Sequence, residues 1–449
     1  MKRLFVLVAL ALLLVGRPAA AQELLRDAET EAMFARMSEP LIRAAGLSPA
    51  TVKVRLIHDD SINAFVAGGQ TVYVHSGLIA AADNANQVQG VIAHELGHIA
   101  DGHVVTFDNG AKPAMGISLL SLVLGVAAMA AGAGEAGAGI LSAGQTAAMG
   151  KFLAFSRVQE ATADATGAKF LQTAGISGKG MLAFFKKLEN QEFRYGYTDV
   201  DPFAQSHPLS GQRVATLTHT LESSPAWNAK TDPALEEEFK RVKAKLEGYV
   251  DDPRQTLVAY PPSDKSVYGH YARAYAYHKS GYPDKANAEV AALIAADPHD
   301  PYFLELKGQI LLEGGNPAEA IAPLREATAK TNYQPLIATT FGHALIATDD
   351  KTHYPEAIKV LRQAVARDDE NPFAWYELGT VYERTGDYAR AALATAERSI
   401  MNGETALAAQ SARTAMAGLE PNTTDWIHAQ DIALTAQNEL DDDKGRRRR

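Results

Sequence analysis

The chain has 449 residues, enough for two or three domains with sizeable cores. Its formal charge of −10 argues against nucleic acid as a partner. It contains no cysteine, so no disulfide forms and no lipid is attached to a Cys side chain.

The first segment has the layout of an export signal. Lys2 and Arg3 precede the apolar run Leu4–Val15, and Ala19-Ala20-Ala21 meets the small-residue cleavage rule. The run is short for a membrane span, so residues 1–21 are expected to be cut off after Ala21 rather than kept as an anchor. With Lys2, Arg3 and Arg17 gone, −10 becomes −13. An exported chain of this kind suits a bacterial periplasm.

From residue 22 to 225 the pattern is that of one domain. Glu23–Ala45 mixes acidic and apolar positions at helical spacing and predicts a surface helix. Val52–Ile57 alternates at period two and predicts a strand. Ser61–Val66 and Thr71–Val74 flank Ala67-Gly68-Gly69-Gln70, a hairpin signal. Asn63-Ala64-Phe65 is a candidate sheet edge to which an extended substrate could pair, with Asn63 as the residue singled out. An ordinary hairpin with a core Phe fits the same residues.

Val91–His103 carries His94-Glu95-Leu96-Gly97-His98, an HExxH motif on a helix expected over Asn86–His103. Residues four apart lie one above the other, so both imidazoles can reach one zinc ion at about 2.0–2.1 Å. Glu95 lies about 100° round the helix, where a general base belongs. Val88, Ile92, Leu96 and Ile99 supply an apolar stripe on the opposite side. His103 would point away from His94 if the helix ran on, which speaks against it as a ligand. Asp101 reads as a residue behind the metal or as a solvated one.

A catalytic zinc keeps one position for water, so a third protein ligand must come from elsewhere. Ser156–Gly167 offers it: Glu160 and Asp164 share a helix face, where Glu160 can ligate and Asp164 can accept a hydrogen bond from the far nitrogen of a ligating His; a solvated pair of acids on an exposed helix is the alternative. Gly167, a turn further, would let the two helices approach closely.

HELGH, SRVQEATAD, Ser206-His207-Pro208 and Arg213 together resemble the gluzincin metallopeptidases of the CAAX prenyl protease and HtpX type, over roughly Ala28–Leu217. The resemblance implies one zinc held by His94, His98 and Glu160, with Glu95 as catalytic base. It places His207 near the metal, where it either stabilises the transition state or plugs the open position. It makes Arg213 a structural ion-pair partner.

Pro113–Gly134, between the two metal motifs, carries no charge. Both ends must return to one metal, so a single membrane crossing is forbidden. A second crossing would need Ala136–Phe155, which is weakly apolar and contains Lys151. A mobile helical hairpin near the cleft is expected, able to touch a membrane or to cover the site; a buried core helix is the alternative.

Residues 226–262 change character. A charged helix over Ala234–Tyr249 precedes a short extended piece between Asp251-Asp252-Pro253 and Pro261-Pro262, a linker. From 263 to 440 a repeat appears: Ala286 to Ala320 and Ala357 to Ala391 both span 34 residues, and Ala320 to Ala357 spans 37, an insertion near Thr348–His353. That period is the two-helix tetratricopeptide repeat. Four copies are expected up to Ile400, then a capping pair, then a disordered tail at 441–449.

The fold class is therefore α+β and mostly helical: a zincin-type domain with a small sheet, then an all-α solenoid. Such a pairing behind an export signal resembles periplasmic proteases of Gram-negative bacteria that act in outer-membrane protein quality control. The resemblance implies misfolded or stalled outer-membrane proteins as substrates, and docking on the barrel assembly machinery. A chaperone or adaptor with latent proteolysis is the alternative.

Overall fold

The structure is a computed structural model that describes residues 23–130, 133–195, 207 and 211–447. The expected signal segment at 1–21, together with Ser206 and Pro208, lies outside the described residues. The chain divides into two compact units, one of residues up to Leu25 with Phe34–Glu236, the other of Arg26–Met33 with Glu237–Arg449.

The first unit is built on a four-stranded sheet of order β1-β2-β4-β3: β1 Glu23–Leu25, β2 Lys53–His58, β3 Ala64–Ala67 and β4 Thr71–His75. β2 and β4 run parallel, and β3 returns antiparallel to β4 through Gly68 and Gly69, both at positive φ. That places β3 at an edge, as Asn63-Ala64-Phe65 predicts. The expected surface helix at Glu23–Ala45 is corrected in two ways. Glu23–Leu25 is a strand paired with β2, and helix α1 begins only at Ala28, running to Ala44. Met33, Phe34, Met37 and Leu41 recur at spacings of three and four and are fully buried, so α1 is a core element.

After the short α2 (Ser76–Ala81), α3 (Ala85–Ala100) is buried along nearly its whole length, on every side rather than on two faces. Asn84 caps its start by accepting from the Gln87 amide. The helix ends three residues before the expected His103. Asp101 is its C-cap, and Gly102 takes the left-handed conformation (φ 68°) that stops it. α4 (His103–Ala130) and α5 (Gly134–Thr173) then form a long antiparallel pair, followed by α6 (Lys179–Tyr195) and α7 (Gly211–Glu222). The buried-core alternative for Pro113–Gly134 is overturned, since Leu119, Val123 and Leu124 are half-exposed or more.

The second unit opens with α8 (Pro233–Val250). In place of the expected extended piece stands a helix, α9 (Pro253–Ala259), which Asp252 caps and Pro253 starts. Phe239 and Val242 are buried, so α8 is packed structure rather than linker. Four helix pairs follow, α10/α11 (Val267–Lys279, Pro283–Ala296), α12/α13 (Pro301–Glu313, Pro317–Lys330), α14/α15 (Pro335–Ala347, Tyr354–Arg367) and α16/α17 (Pro372–Thr385, Tyr388–Met401). A 3-10 turn at Lys351–His353 accommodates the insertion. Ala286, Ala320 and Ala357 are fully buried where paired helices cross. The closing pair is α18 (Thr405–Gly418) and α19 (Thr424–Arg447). α19 carries helix to Arg447, through residues 441–447 of the expected disordered tail; residues 448–449 lie outside the described residues.

Candidate metal centre

α3 and α5 meet where neither has a side chain to hold them apart. A Cβ at Gly97 would lie 2.6 Å from the Ala163 carbonyl oxygen, and one at Gly167 would lie 2.8 Å from that of Ala93. This approach brings His94 and His98 on one helix to Glu160 on the other. Glu160 Oε2 is 3.3 Å from His94 Nε2, and Oε1 is 3.3 Å from His98 Nε2. His94 Nε2 and His98 Nε2 are 3.2 Å apart. His207 joins them, its Nδ1 3.2 Å from His94 Nε2 and 3.1 Å from Glu160 Oε2. All four residues are buried, and one ligand atom from each lies within 4.8 Å of the others.

The outer hydrogen bonds decide which nitrogens face inward. His94 Nδ1 sits 3.0 Å from Asp164 Oδ1, so the proton belongs there and Nε2 presents a lone pair to the centre. His207 Nε2 donates to the Ala64 carbonyl at 3.2 Å, which leaves Nδ1 facing inward as an acceptor. His98 Nδ1 lies 2.9 Å from His103 Nδ1, and His103 Nε2 lies 3.1 Å from Thr162 Oγ1. One proton order serves this chain: His98 donates to His103, which donates to Thr162. Three imidazole lone pairs and a carboxylate then converge. Ligand atoms around a tetrahedral zinc with bonds of about 2.0–2.1 Å lie about 3.3–3.4 Å apart, close to the separations seen here. The residues fit that ion.

The electrostatics agree. Burial opposes a charge on His94, but hydrogen bonds to Asp164 and Glu160 outweigh it and hold the ring up to about 10. Burial likewise opposes the Glu160 carboxylate, yet His207, His94 and His98 keep it far below the usual range. The centre draws in positive charge, which a divalent cation supplies without protons on the rings. Arg213 grips Asp164 with two hydrogen bonds of 2.8 and 2.9 Å and reaches Glu160 Oε2 at 3.1 Å, the ion-pair position its resemblance implies.

Glu95 is 1% exposed, and neither of its carboxylate oxygens accepts a hydrogen bond among the described residues. His207 Nε2 is 3.6 Å from Oε1. Asn63 precedes β3 with its own Oδ1 turned back to the Ala64 amide at 2.9 Å, so the Ala64 carbonyl faces the centre rather than the Asn63 side chain. Asp101 points elsewhere and accepts from Thr166. His103, the less favoured ligand, supports one instead: the left-handed Gly102 folds the chain back so that the ring meets His98. A Gly directly before a His after the motif is the signal that would have revealed it.

A buried HExxH helix crossed by a second helix carrying Glu160 defines a metallopeptidase. Residues 27–221 match the model of peptidase family M48, and residues 271–335 and 349–414 match that of the tetratricopeptide repeat. The chain thus joins an M48 metallopeptidase domain to tetratricopeptide repeats, and it is a metalloendopeptidase hydrolase. It is 25% identical over 372 residues to the beta-barrel assembly-enhancing protease of Escherichia coli (strain K12), covering 81% of this chain and 71% of that one. The Yersinia pestis protein of the same name is 24% identical over 358 residues, 78% of this chain and 71% of that one. Metalloprotease LoiP of Escherichia coli (strain K12) is 34% identical over 178 residues, 39% of this chain and 64% of that one.

Proposed function

We propose that the chain is a zinc endopeptidase of the bacterial periplasm that cleaves misfolded or stalled outer-membrane proteins, with its repeats holding substrate or the barrel assembly machinery. The convergence of His94, His98 and Glu160 beside an uncommitted Glu95 carries the catalytic part of this reading. The kinship with bacterial beta-barrel assembly-enhancing proteases supports the barrel-assembly part. The export signal expected at residues 1–21 supports the compartment.

Zinc held by these three residues would supply an activated water and polarise the scissile carbonyl. Glu95, whose two carboxylate oxygens accept no hydrogen bond among the described residues, would be the base that receives a proton at this point and returns it to the leaving amine. An extended peptide would add to the free edge of β3. His207 opposes both events: its Nδ1 adds a fourth protein donor, and its Nε2 occupies the Ala64 carbonyl of the same edge. With His207 held beside His94 and Glu160, the site would offer four protein donors and no open position, so substrate entry would need His207 to move. This favours a protease that is latent until engaged, and it keeps the chaperone reading in play for the resting state.

Glu95→Gln is expected to keep its zinc and lose cleavage of an unfolded barrel protein by a factor of about 10²–10⁴. A variant that cleaves at the normal rate removes Glu95 as the base. His207→Ala is expected to keep zinc and cleave a short peptide several-fold faster; slower cleavage with zinc retained would make His207 an assisting group.

A further inference from the structure

We propose that the tip-ward half of the α4–α5 pair is a membrane-inserted helical hairpin that anchors the peptidase site beside a lipid bilayer. This rests on the hairpin alone and stands or falls separately from the peptidase reading.

Between Lys112 and Lys151 the sequence contains a single charge, Glu135. The apolar side chains this leaves on α4 are turned outward. Leu119, Leu120, Val123 and Val126 are 63, 60, 58 and 51% exposed, and only 17% of the most apolar window is buried. With Leu122, Leu124 and Met129, also exposed, they take up about 220° of the helix circumference, so no single face would rest on a surface as an amphipathic helix does. What α4 does bury is a seam of small residues. A Cβ at Gly144 would meet Ser121 Cβ at 1.9 Å, one at Gly137 would meet the Gly125 carbonyl oxygen at 2.6 Å, and Gln145 donates to Ser118 Oγ. Close backbone approach through Gly and Ser, with large apolar groups facing out, is how helices pair inside lipid. It also explains why α5 looks weakly apolar in this stretch: its small residues form the seam, while Ile140 and Met149 face outward.

Length and charge select the occupant. Lys112–Ala130 spans 19 residues, about 28 Å of helix against a hydrocarbon thickness of about 30 Å. The seam register puts exposed Lys112 and Lys151 at the same end of the hairpin, where both ammonium groups reach the headgroups. Glu135, in the first turn of α5, lies at the opposite end. Both ends of the pair return to one side, as the shared metal centre demands. His103 begins α4 nine residues before Lys112, so the centre would stand about 13 Å from the headgroup level. A peptidase held there meets chains emerging at the bilayer surface.

The test uses the full-length chain mixed with vesicles of phosphatidylethanolamine and phosphatidylglycerol and floated on a density gradient. It is expected to float and to resist an alkaline carbonate wash. Leu119→Glu with Val123→Glu is expected to abolish flotation with helicity and metal content unchanged, since both positions are exposed. The absence of cysteine permits single labels: a fluorophore at Val123→Cys should be quenched by nitroxides deep in the acyl chains, and one at Lys112→Cys by nitroxides at the headgroup. The proposal is overturned if the chain stays unbound, if carbonate strips it with both labels quenched only at the headgroup, or if position 123 is shielded in a lipid-independent dimer.

Discussion

Each unit buries a cluster of charge, and the two clusters are solved in opposite ways. In the first unit, His94, His98, Glu160 and His207 turn lone pairs toward a common point, and every outer nitrogen is committed elsewhere. In the second, opposite charges meet directly. Lys245 pairs with Asp27 at 2.5 Å and Glu29 at 3.5 Å, Arg241 with Glu29 and Asp300 at 2.8 Å each, and Tyr271 donates to Glu29 at 2.6 Å. One set is complete only with a cation; the other has its cations built in. Burial of charge alone therefore does not mark a site. The direction of the lone pairs does.

The largest effect expected from this contrast lies in the second cluster. Lys245→Ala leaves partly buried Asp27 without its ammonium partner and buried Glu29 with Arg241 alone, and should destabilise the second unit by about 3 kcal/mol, with zinc content unchanged. Hydrogen exchange over α8 and α10 measures this; loss of zinc instead would erase the distinction. Next, Asp164→Asn should weaken zinc binding by about 10–100-fold, because it disturbs the bond that orients His94. Competition with a chelator reads that, and an unchanged affinity would remove Asp164 from the support of the centre.

A further effect is a pH dependence. Burial pushes the Glu305 carboxyl up to about 8, with Lys245 acting against the shift and Asp27 and Glu29 for it. A folded value above the ordinary 4.5 means that its contribution is fully present below pH 4.5 and is lost as pH rises through about 8. Glu305→Gln should flatten that decline in urea unfolding of the second unit. An unaltered pH profile would show that Glu305 is solvated.

The cluster of His94, His98 and Glu160 was legible because its parts obey helix geometry. HExxH and Glu160/Asp164 are each four-residue spacings, and Gly167 marks where the second helix comes close; that it crosses the first at Gly97 is seen only in the fold. The repeats were legible because their small residues recur at a fixed period. What the sequence hid depends on conformation or on distance. His103 turns inward only because Gly102 is left-handed. Glu23–Leu25 becomes a strand only through β2. Tyr271 and Glu29 are separated by 242 residues, so no spacing rule could join them.

The most direct measurement is elemental analysis of the purified chain and two variants. About one equivalent of zinc is expected in the unaltered chain and in Glu95→Gln, and a large deficit in Glu160→Ala. Full zinc in Glu160→Ala would contradict a centre shared between α3 and α5.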